Sequence, residues 1–321
     1  MIRPATLALA AGLTCAGTAA QAQEAFPAHP ITIIVGYSAG GANDILARIL
    51  ADRLTVSLKQ PVIVENKPGV ASIVGATYVA KAKPDGYTLL MGASGPISFN
   101  PALYKSLPYA PDKDLAPISL VGTFPLILLT QSANKETSTL KGLKAYAAAN
   151  PKKSNYSASA ASFQLMTELF KKQTGTHFEY IPYKGSMDSI TAVSTGDATM
   201  TLVDAGPATP MIKGGRVRAL AVTSAQRTPY LPDVPTMKEA GIDMDVELWS
   251  GLFAPAGTPP AVIATLQRSV RDALQAPEVR QRIAALSITP KSNTPEEFAA
   301  LIGKEIALWK RVAQEAGVQP N

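Results

Sequence analysis

A chain of 321 residues with 30 Lys plus Arg against 24 Asp plus Glu carries a formal net charge of +6, but its basic residues are scattered among acids, which excludes a nucleic-acid-binding surface. Its two histidines, His29 and His177, stand apart from any second ligand at metal spacing, and its one cysteine, Cys15, falls in the leader, so neither a metal site nor a disulfide framework is expected. A mature chain of about 300 residues suits two domains rather than one.

Met1 to Ala22 has Arg3 near its start, an apolar stretch from Ala5 to Ala20 and Ala20-Gln21-Ala22 as a small-x-small cleavage signal. This predicts a signal peptide over 1–22 and a periplasmic mature protein from about residue 23. The stretch is shorter than the ~20 residues of a membrane span and no later segment approaches that length, so the mature chain is expected to be soluble. Lipid attachment at Cys15 is the competing reading, and Gly12 and Thr14 disfavour it.

Ile31 to Val35 is a short β-branched run that breaks at Gly36, and from Asp44 the residues Ile45, Leu46, Ile49 and Leu50 recur at helical spacing. The connection, Tyr37, Ser38, Ala39, Gly40, Gly41, Ala42 and Asn43, has two adjacent glycines that let backbone N–H groups approach a ligand. It also opens a helix whose first turn offers unpaired donors and a partial positive charge. Such a turn suits an anion, although a plain strand-to-helix turn with Asn43 or Asp44 as N-cap fits the same residues.

Pro61 to Glu65 reads as a second strand, the stretch holding Ile73, Val74, Thr77, Tyr78 and Val79 as a helix, and Tyr87 to Met91 as a third strand ending at Gly92-Ala93-Ser94-Gly95. Strand, helix, strand, helix, strand indicates a parallel sheet with helices on both faces, in which ligands sit at the carboxyl ends of strands. The Gly40 turn and Ser94 both fall there. After the apolar run Ile118 to Leu129 the layout repeats: a helix over Leu140 to Ala149, a strand over Tyr156 to Ser162 running into small residues, and a helix over Phe163 to Lys172. His177 to Pro182 is the next strand with Tyr183-Lys184-Gly185 at its end; Met200 to Asp204 and Arg218 to Thr223 follow, and two amphipathic helices, Pro260 to Gln275 and Pro295 to Gly317, close the chain. The pattern predicts an α/β protein of two similar lobes, with residues 124–245 inserted as lobe two between the two parts of lobe one, 23–123 and 246–321. Crossovers are expected near Thr123 and Trp249.

Enzyme signatures are missing: the sequence has no G-x-S-x-G elbow, no G-x-G-x-x-G and no P-loop. With two histidines, neither in the turns that face the expected cleft, a Ser–His pair is hard to assemble. The chain is therefore read as a binding protein without cofactor, not as an enzyme.

A run of motifs now becomes recognisable: PITIIVGYSAGGANDILAR from Pro30, QPVIVENKPG from Gln60, VAKAKPDGYTLLMG from Val79, NPALYKSLPY from Asn100, YIPYKG from Tyr180, IKGGRVRALAVTSAQR from Ile212, LPDVPT from Leu231, WSGLFAPAGTP from Trp249 and TPEEFAALI from Thr294. In this order, over almost the whole mature chain, they resemble the Bug-type extracytoplasmic solute receptors of tripartite tricarboxylate transporters. The resemblance implies a type II periplasmic binding protein, two α/β lobes each with a mostly parallel sheet flanked by helices, closing on a small carboxylate. It also implies transporter subunits in the membrane as partners, and the protein is expected to act as a monomer. In the family, the loop matching Tyr37 to Asn43 and the turn after Tyr156 supply the backbone donors.

Some residues depart from the family's pattern. The turn Ser157 to Ser162 is shorter than the family's usual version and lacks its glycines, Gln164 stands where a histidine is common and Thr199 where an aspartate is frequent, and Pro96 and Ile97 replace small polar or histidine residues after Ser94. All are expected in the ligand half. One carboxylate of the ligand is expected on the backbone of Ala39 to Ala42 and the hydroxyl of Ser38, its other end near Ser157, Ser159, Ser162 and Asp204, with Ser94 and Gly185 beside it. Tyr37 either walls the pocket or packs; Asp44 either caps the helix or faces an amino group. A sensor that binds ligand and signals without transport uses the same closure and is the alternative function.

Overall fold

The computed structural model describes residues 26–320; the predicted signal peptide and Cys15 lie outside them. β1 (Ile31–Val35) is buried along nearly its whole length, pairs in parallel with β2 (Val62–Asn66) on one side and β3 (Thr88–Ala93) on the other, and is joined to them through α1 (Ala42–Leu58) and α2 (Ile73–Ala80). A π-turn over Gly95–Phe99 and the short helices α3 (Asn100–Leu103) and α4 (Pro111–Asp114) lead to β4 (Leu115–Phe124). Pro125, which has no N–H for a ladder, separates β4 from β5 (Leu126–Gln131), and the two strands belong to different sheets.

The second lobe holds α5 (Leu140–Ala149), β6 (Asn155–Ala158), α6 (Ala161–Thr174), β7 (Glu179–Pro182), α7 (Ser186–Thr195), β8 (Met200–Asp204), α8 (Ala205–Lys213) and β9 (Val217–Val222). The chain then returns through β10 (Leu248–Pro255), which lies antiparallel between β3 and β4, to α9 (Pro260–Gln275), α10 (Pro277–Ala284), β11 (Thr289–Pro290) and α11 (Pro295–Glu315). Among the described residues the sheets run β11-β4-β10-β3-β1-β2 and β7-β6-β8-β5-β9.

Each sheet contains a parallel trio with its first strand in the middle, β3-β1-β2 in one and β8-β6-β7 in the other, completed by antiparallel strands that include those flanking the crossovers. The central strand of each trio has its successors on opposite sides, so each lobe has a point at its carboxyl edge where connections diverge and leave a crevice. α/β lobes flanked by helices are the expected fold class. α10 is a short helix that the sequence reading did not expect between Gln275 and Pro295.

Two apolar layers clamp the first sheet. Leu46, Leu50, Leu266, Val270 and Ile283 pack on Ile31, Ile33, Val35, Leu89 and Met91, and Ala76, Val79, Phe298 and Ile302 pack on Ile34, Leu90, Leu120 and Phe253 on the other face. Burying one such large side chain is worth about 1.5–3 kcal/mol, so these layers hold the strand ends rigid. α11, started by a Thr294–Glu297 capping box, joins both lobes: Phe298 and Ile302 belong to the first lobe's core, while Trp309, Val312 and Ala313 pack with the second. Trp309 stacks on Phe99 with ring centroids 4.5 Å apart. Among the described residues no helix is long and apolar enough to cross a membrane, and no group of three or more His, Cys, Asp or Glu is placed to hold a metal ion.

Candidate functional site

The loop from Gly36 to Gly41 leaves β1 under tight constraint. A Cβ on Gly36 would collide with Ser72 Oγ, and a Cβ on Gly75, inside α2, would lie 2.7 Å from Gly36 Cα, so α2 packs backbone to backbone against the start of this loop. Gly40 has φ +82°, a conformation open to glycine at little cost.

Asp44 secures the far end of the loop. Only 2% exposed, its carboxylate accepts from the Gly40 amide at 2.9 Å, from Asn66 Nδ2 at 2.9 Å and from Arg48 Nε at 3.0 Å. Asn66 Nδ2 also donates to the Tyr37 carbonyl at 3.1 Å, tying both ends of the loop to the end of β2. The hydrogen-bonded Arg48 guanidinium, helped by the Gly40 amide and Asn66, holds the Asp44 carboxyl down at about 2 against the cost of its burial. These facts correct two expectations. α1 begins at Ala42 with Gly41 as N-cap, so Asp44 is the third helical residue and not the cap. The Gly40 amide is spent on Asp44 and that of Gly41 on the Ser38 carbonyl, which leaves the loop fewer free donors than its glycines promised.

Between the lobes lies a cavity of about 320 Å³. From the first lobe Tyr37, Asn43, Ser94, Gly95 and Asn100 reach it, and from the second Ala160, Ala161, Ser162 and Phe163. Phe124 and Leu248, at the two crossovers, form part of its wall. α6 carries no side-chain cap on Ala160, and its first intrahelical donor is Gln164, so the amides of Ala161, Ser162 and Phe163 have no acceptor within their helix. With the partial positive charge of the helix end, this first turn has the donors and the polarity that suit an anion. The first turn of α1, uncapped by any side chain, meets the same cavity at Asn43.

Ser94 is buried, its Oγ accepting from the Trp249 amide at 3.4 Å, and its own proton reaches no acceptor among the described residues. Burial pushes the Tyr37 phenol up to about 12, which keeps it a neutral donor throughout the physiological range. Asn100 donates to the Ala71 carbonyl at 3.0 Å and Asn43 Oδ1 accepts from Ser250 Oγ, which fixes both side chains. Ala71, on the cavity wall, and Ser72 have φ of +47° and +62° without being glycine. Such strained backbone costs about 1 kcal/mol or more and gathers at functional sites.

Of the residues singled out from the sequence, the cavity brings together Tyr37, Ser94 and Ser162. Ser38, Ala39, Gly40, Gly41 and Ala42 form an exposed rim outside its wall. Ser159 and Gly185 are half-buried beyond it, and Asp204 accepts from Ser186 Oγ at 2.6 Å. Ser157 points the wrong way: strand alternation sends Tyr156 toward α6 and Ser157 toward α7, where its Oγ is fully buried and donates to the Ser189 carbonyl at 3.0 Å. Thr199 precedes β8, at the end of that strand opposite Asp204, where it pairs with Asn155, so its departure from the family pattern lies away from the cleft. Ala71, Asn100, Leu103, Phe124 and Leu248 carried no sequence signal, since each belongs to a different segment and only the fold assembles them.

Comparison with known proteins bears on the family and the fold. A family model described as tripartite tricarboxylate transporter family receptor matches residues 46–318. The chain is 37% identical over 312 residues to protein BugT of Bordetella pertussis, covering 96% of this chain and 95% of that one. Among solved structures, an R. palustris protein with adipate is 31% identical with a TM-score of 0.77, covering 92% of this chain and 100% of that one. MatC from Rhodopseudomonas palustris with bound malate is 30% identical with a TM-score of 0.72, covering 89% and 99%.

Proposed function

The chain belongs to the tripartite tricarboxylate transporter receptor family, and on that footing we propose that it captures a small carboxylate between its lobes in the periplasm, and delivers it, as a monomer, to the transporter's membrane subunits. The observation that carries this reading is the uncapped first turn of α6, open to a cavity with no ionised side chain on its wall. Adipate and malate in the related structures support the carboxylate class. Export by the Met1 to Ala22 signal belongs to the same proposal.

A micromolar affinity needs about 8 kcal/mol, and a hydrogen bond to a charged group nets about 1.5–3 kcal/mol while a helix terminus adds about 0.3–1. The amides of Ala161, Ser162 and Phe163 with the hydroxyls of Ser94 and Tyr37 reach that without an arginine clamp. Closure over the ligand fixes the two lobes relative to one another, and that fixed relation is what a membrane partner recognises.

Calorimetric titration of the mature protein with mono-, di- and tricarboxylates, repeated on Ser162→Asp, tests the reading. An acidic residue in the first turn favours the helix by about 0.3–1 kcal/mol while it repels a ligand carboxylate, so binding is expected to vanish with melting temperature kept or raised. Unchanged affinity in the variant overturns it.

A further inference from the structure

α2 lies on the outside of the first lobe, yet its residues, Ile73–Ala80, include none with a charge, and a helix apolar all round is one that is covered on every side. Gly75, Ala76 and Val79 are buried against the sheet, but Val74 and Tyr78 on the outer face are 50% and 48% exposed, and Val70, a turn before Val74, is 71% exposed. Val62 and Val64 pack into the layer under α1, so strand alternation turns Ile63, 53% exposed, to the side of the sheet that carries α2. Large apolar side chains exposed singly are ordinary; several gathered on one flank of a lobe mark an interaction surface. A groove of about 850 Å³ follows the helix on this flank, with Val74, Tyr78, Lys81, Lys83 and Pro108 among its lining. Lys67 is paired with Glu65 at 2.6 Å and lies over the Tyr78 ring at 4.4 Å, and Asp85 accepts from the Tyr87 amide. Lys81 and Lys83 are exposed and take part in no ion pair among the described residues, so the rim of this apolar surface presents unmatched positive charge.

The surface adjoins the ligand cavity. Ala71, directly after Val70, is on the cavity wall, and Ser72 packs on Gly36 where the loop leaves β1. β2 is the edge strand of its sheet away from the crossover strands β4 and β10, so its carboxyl end, from which this segment starts, stands at the open end of the cleft. β7 holds the matching place in the second sheet, and α7 after it exposes Met187. We propose, resting on the receptor reading above, that the flank built from Ile63, Val70, Val74 and Tyr78 is the first lobe's docking surface for the transporter's membrane subunits. It takes an apolar segment of theirs bearing acidic residues for Lys81 and Lys83. Met187 is the second lobe's share of the same contact, so the two parts come into register only when the lobes close. A lipid surface also accepts apolar side chains beside lysines, but a patch that ends at the cavity wall suits a partner that receives the ligand. A second copy brings the same lysines to this flank, with its acids Glu65 and Asp85 already engaged.

The test is photocrosslinking of the full chain in cells whose membrane subunits carry an epitope tag, with benzoylphenylalanine in place of Val74, Tyr78, Met187 or, as control, Val56, which is exposed on α1 across the sheet. All four side chains are exposed, so the replacements are expected to fold, and the melting temperature of each purified protein checks it. Expected are crosslinks to a tagged subunit from the positions of Val74, Tyr78 and Met187 at yields about ten-fold or more above that of Val56, and a fall of about ten-fold at the Tyr78 position when Val74→Asp, or Lys81→Glu with Lys83→Glu, is added. Subunit crosslinks from Val56 as strong as those from Val74 and Tyr78, or a Tyr78 yield indifferent to both added changes, overturn this inference and leave the receptor reading standing. So do crosslinks from Val74 and Tyr78 that reach only lipid or only a second copy while Met187 or Val56 reaches the subunit. No crosslink to a tagged subunit from any of the four positions overturns delivery to these subunits as well.

Discussion

Glu305 Oε2 accepts a hydrogen bond of 2.8 Å from Trp249 Nε1, and both side chains are buried where α11 passes from the first lobe's core into the second's. Trp249 in turn donates its amide to Ser94 on the cavity wall, so this carboxyl lies two residues behind the cavity. Burial drives the Glu305 carboxyl up from 4.5 to about 7, partly offset by the Trp249 hydrogen bond.

That shift has a signed consequence for stability. Below about pH 4.5 the group holds its proton folded or unfolded; between there and about pH 7 only the folded protein keeps it, so this contribution is lost as pH rises and is gone above about 7. Glu305→Gln keeps an acceptor for Trp249 and removes the titration. Urea unfolding at pH 5 and pH 8 should show the wild type losing up to about 3 kcal/mol relative to the variant. Equal pH dependence in the two proteins contradicts the burial argument.

Asp44 has the opposite sign. Its carboxyl is held at about 2 instead of 3.8, so its contribution is complete above about pH 4 and fades as pH falls through about 2. Asp44→Asn removes the charged partner of Arg48 and of the Gly40 amide, and is expected to cost about 1.5–3 kcal/mol at pH 7 and to loosen the loop. Chemical denaturation gives the cost, and amide exchange at Gly40 reports the loosening; a variant with unchanged Gly40 protection counts against the role given to Asp44.

Gly75→Ala sets two effects against each other. Alanine favours a helix interior over glycine by about 1 kcal/mol, but here its Cβ would lie 2.7 Å from Gly36 Cα and 3.1 Å from Gly36 N, and backbone cannot swing aside as a side chain can. Overpacking of this kind costs about 1–3 kcal/mol, so net destabilisation is expected, with weaker ligand binding because the loop start moves with Gly36. A melting temperature equal to or above wild type would show that propensity wins.

The parts of the molecule legible in the sequence are those encoded locally. Ile31 to Val35 is a strand because five β-branched residues, four of them apolar, end at a glycine, and the two lobes are visible because strand, small turn and helix start recur around Tyr156. The site was less legible. Ser157 and Ser162 look alike in a run of small residues, and only the pleat of β6 and the start of α6 at Ala161 decide that one hydroxyl is buried under α7 while the other faces the cavity. The apolar wall comes from five or more remote segments, Leu103, Phe124, Phe163 and Leu248 among them, whose convergence is a property of topology and has no local pattern.

The most direct test is a crystal structure of the mature protein grown with the tightest-binding acid. The account predicts the ligand between the lobes, its carboxylate oxygens about 2.7–3.2 Å from the amide nitrogens of Ser162 and Phe163 at the start of α6. A carboxylate held instead on the exposed rim from Ser38 to Ala42, or on Lys184 outside the cavity, would contradict it.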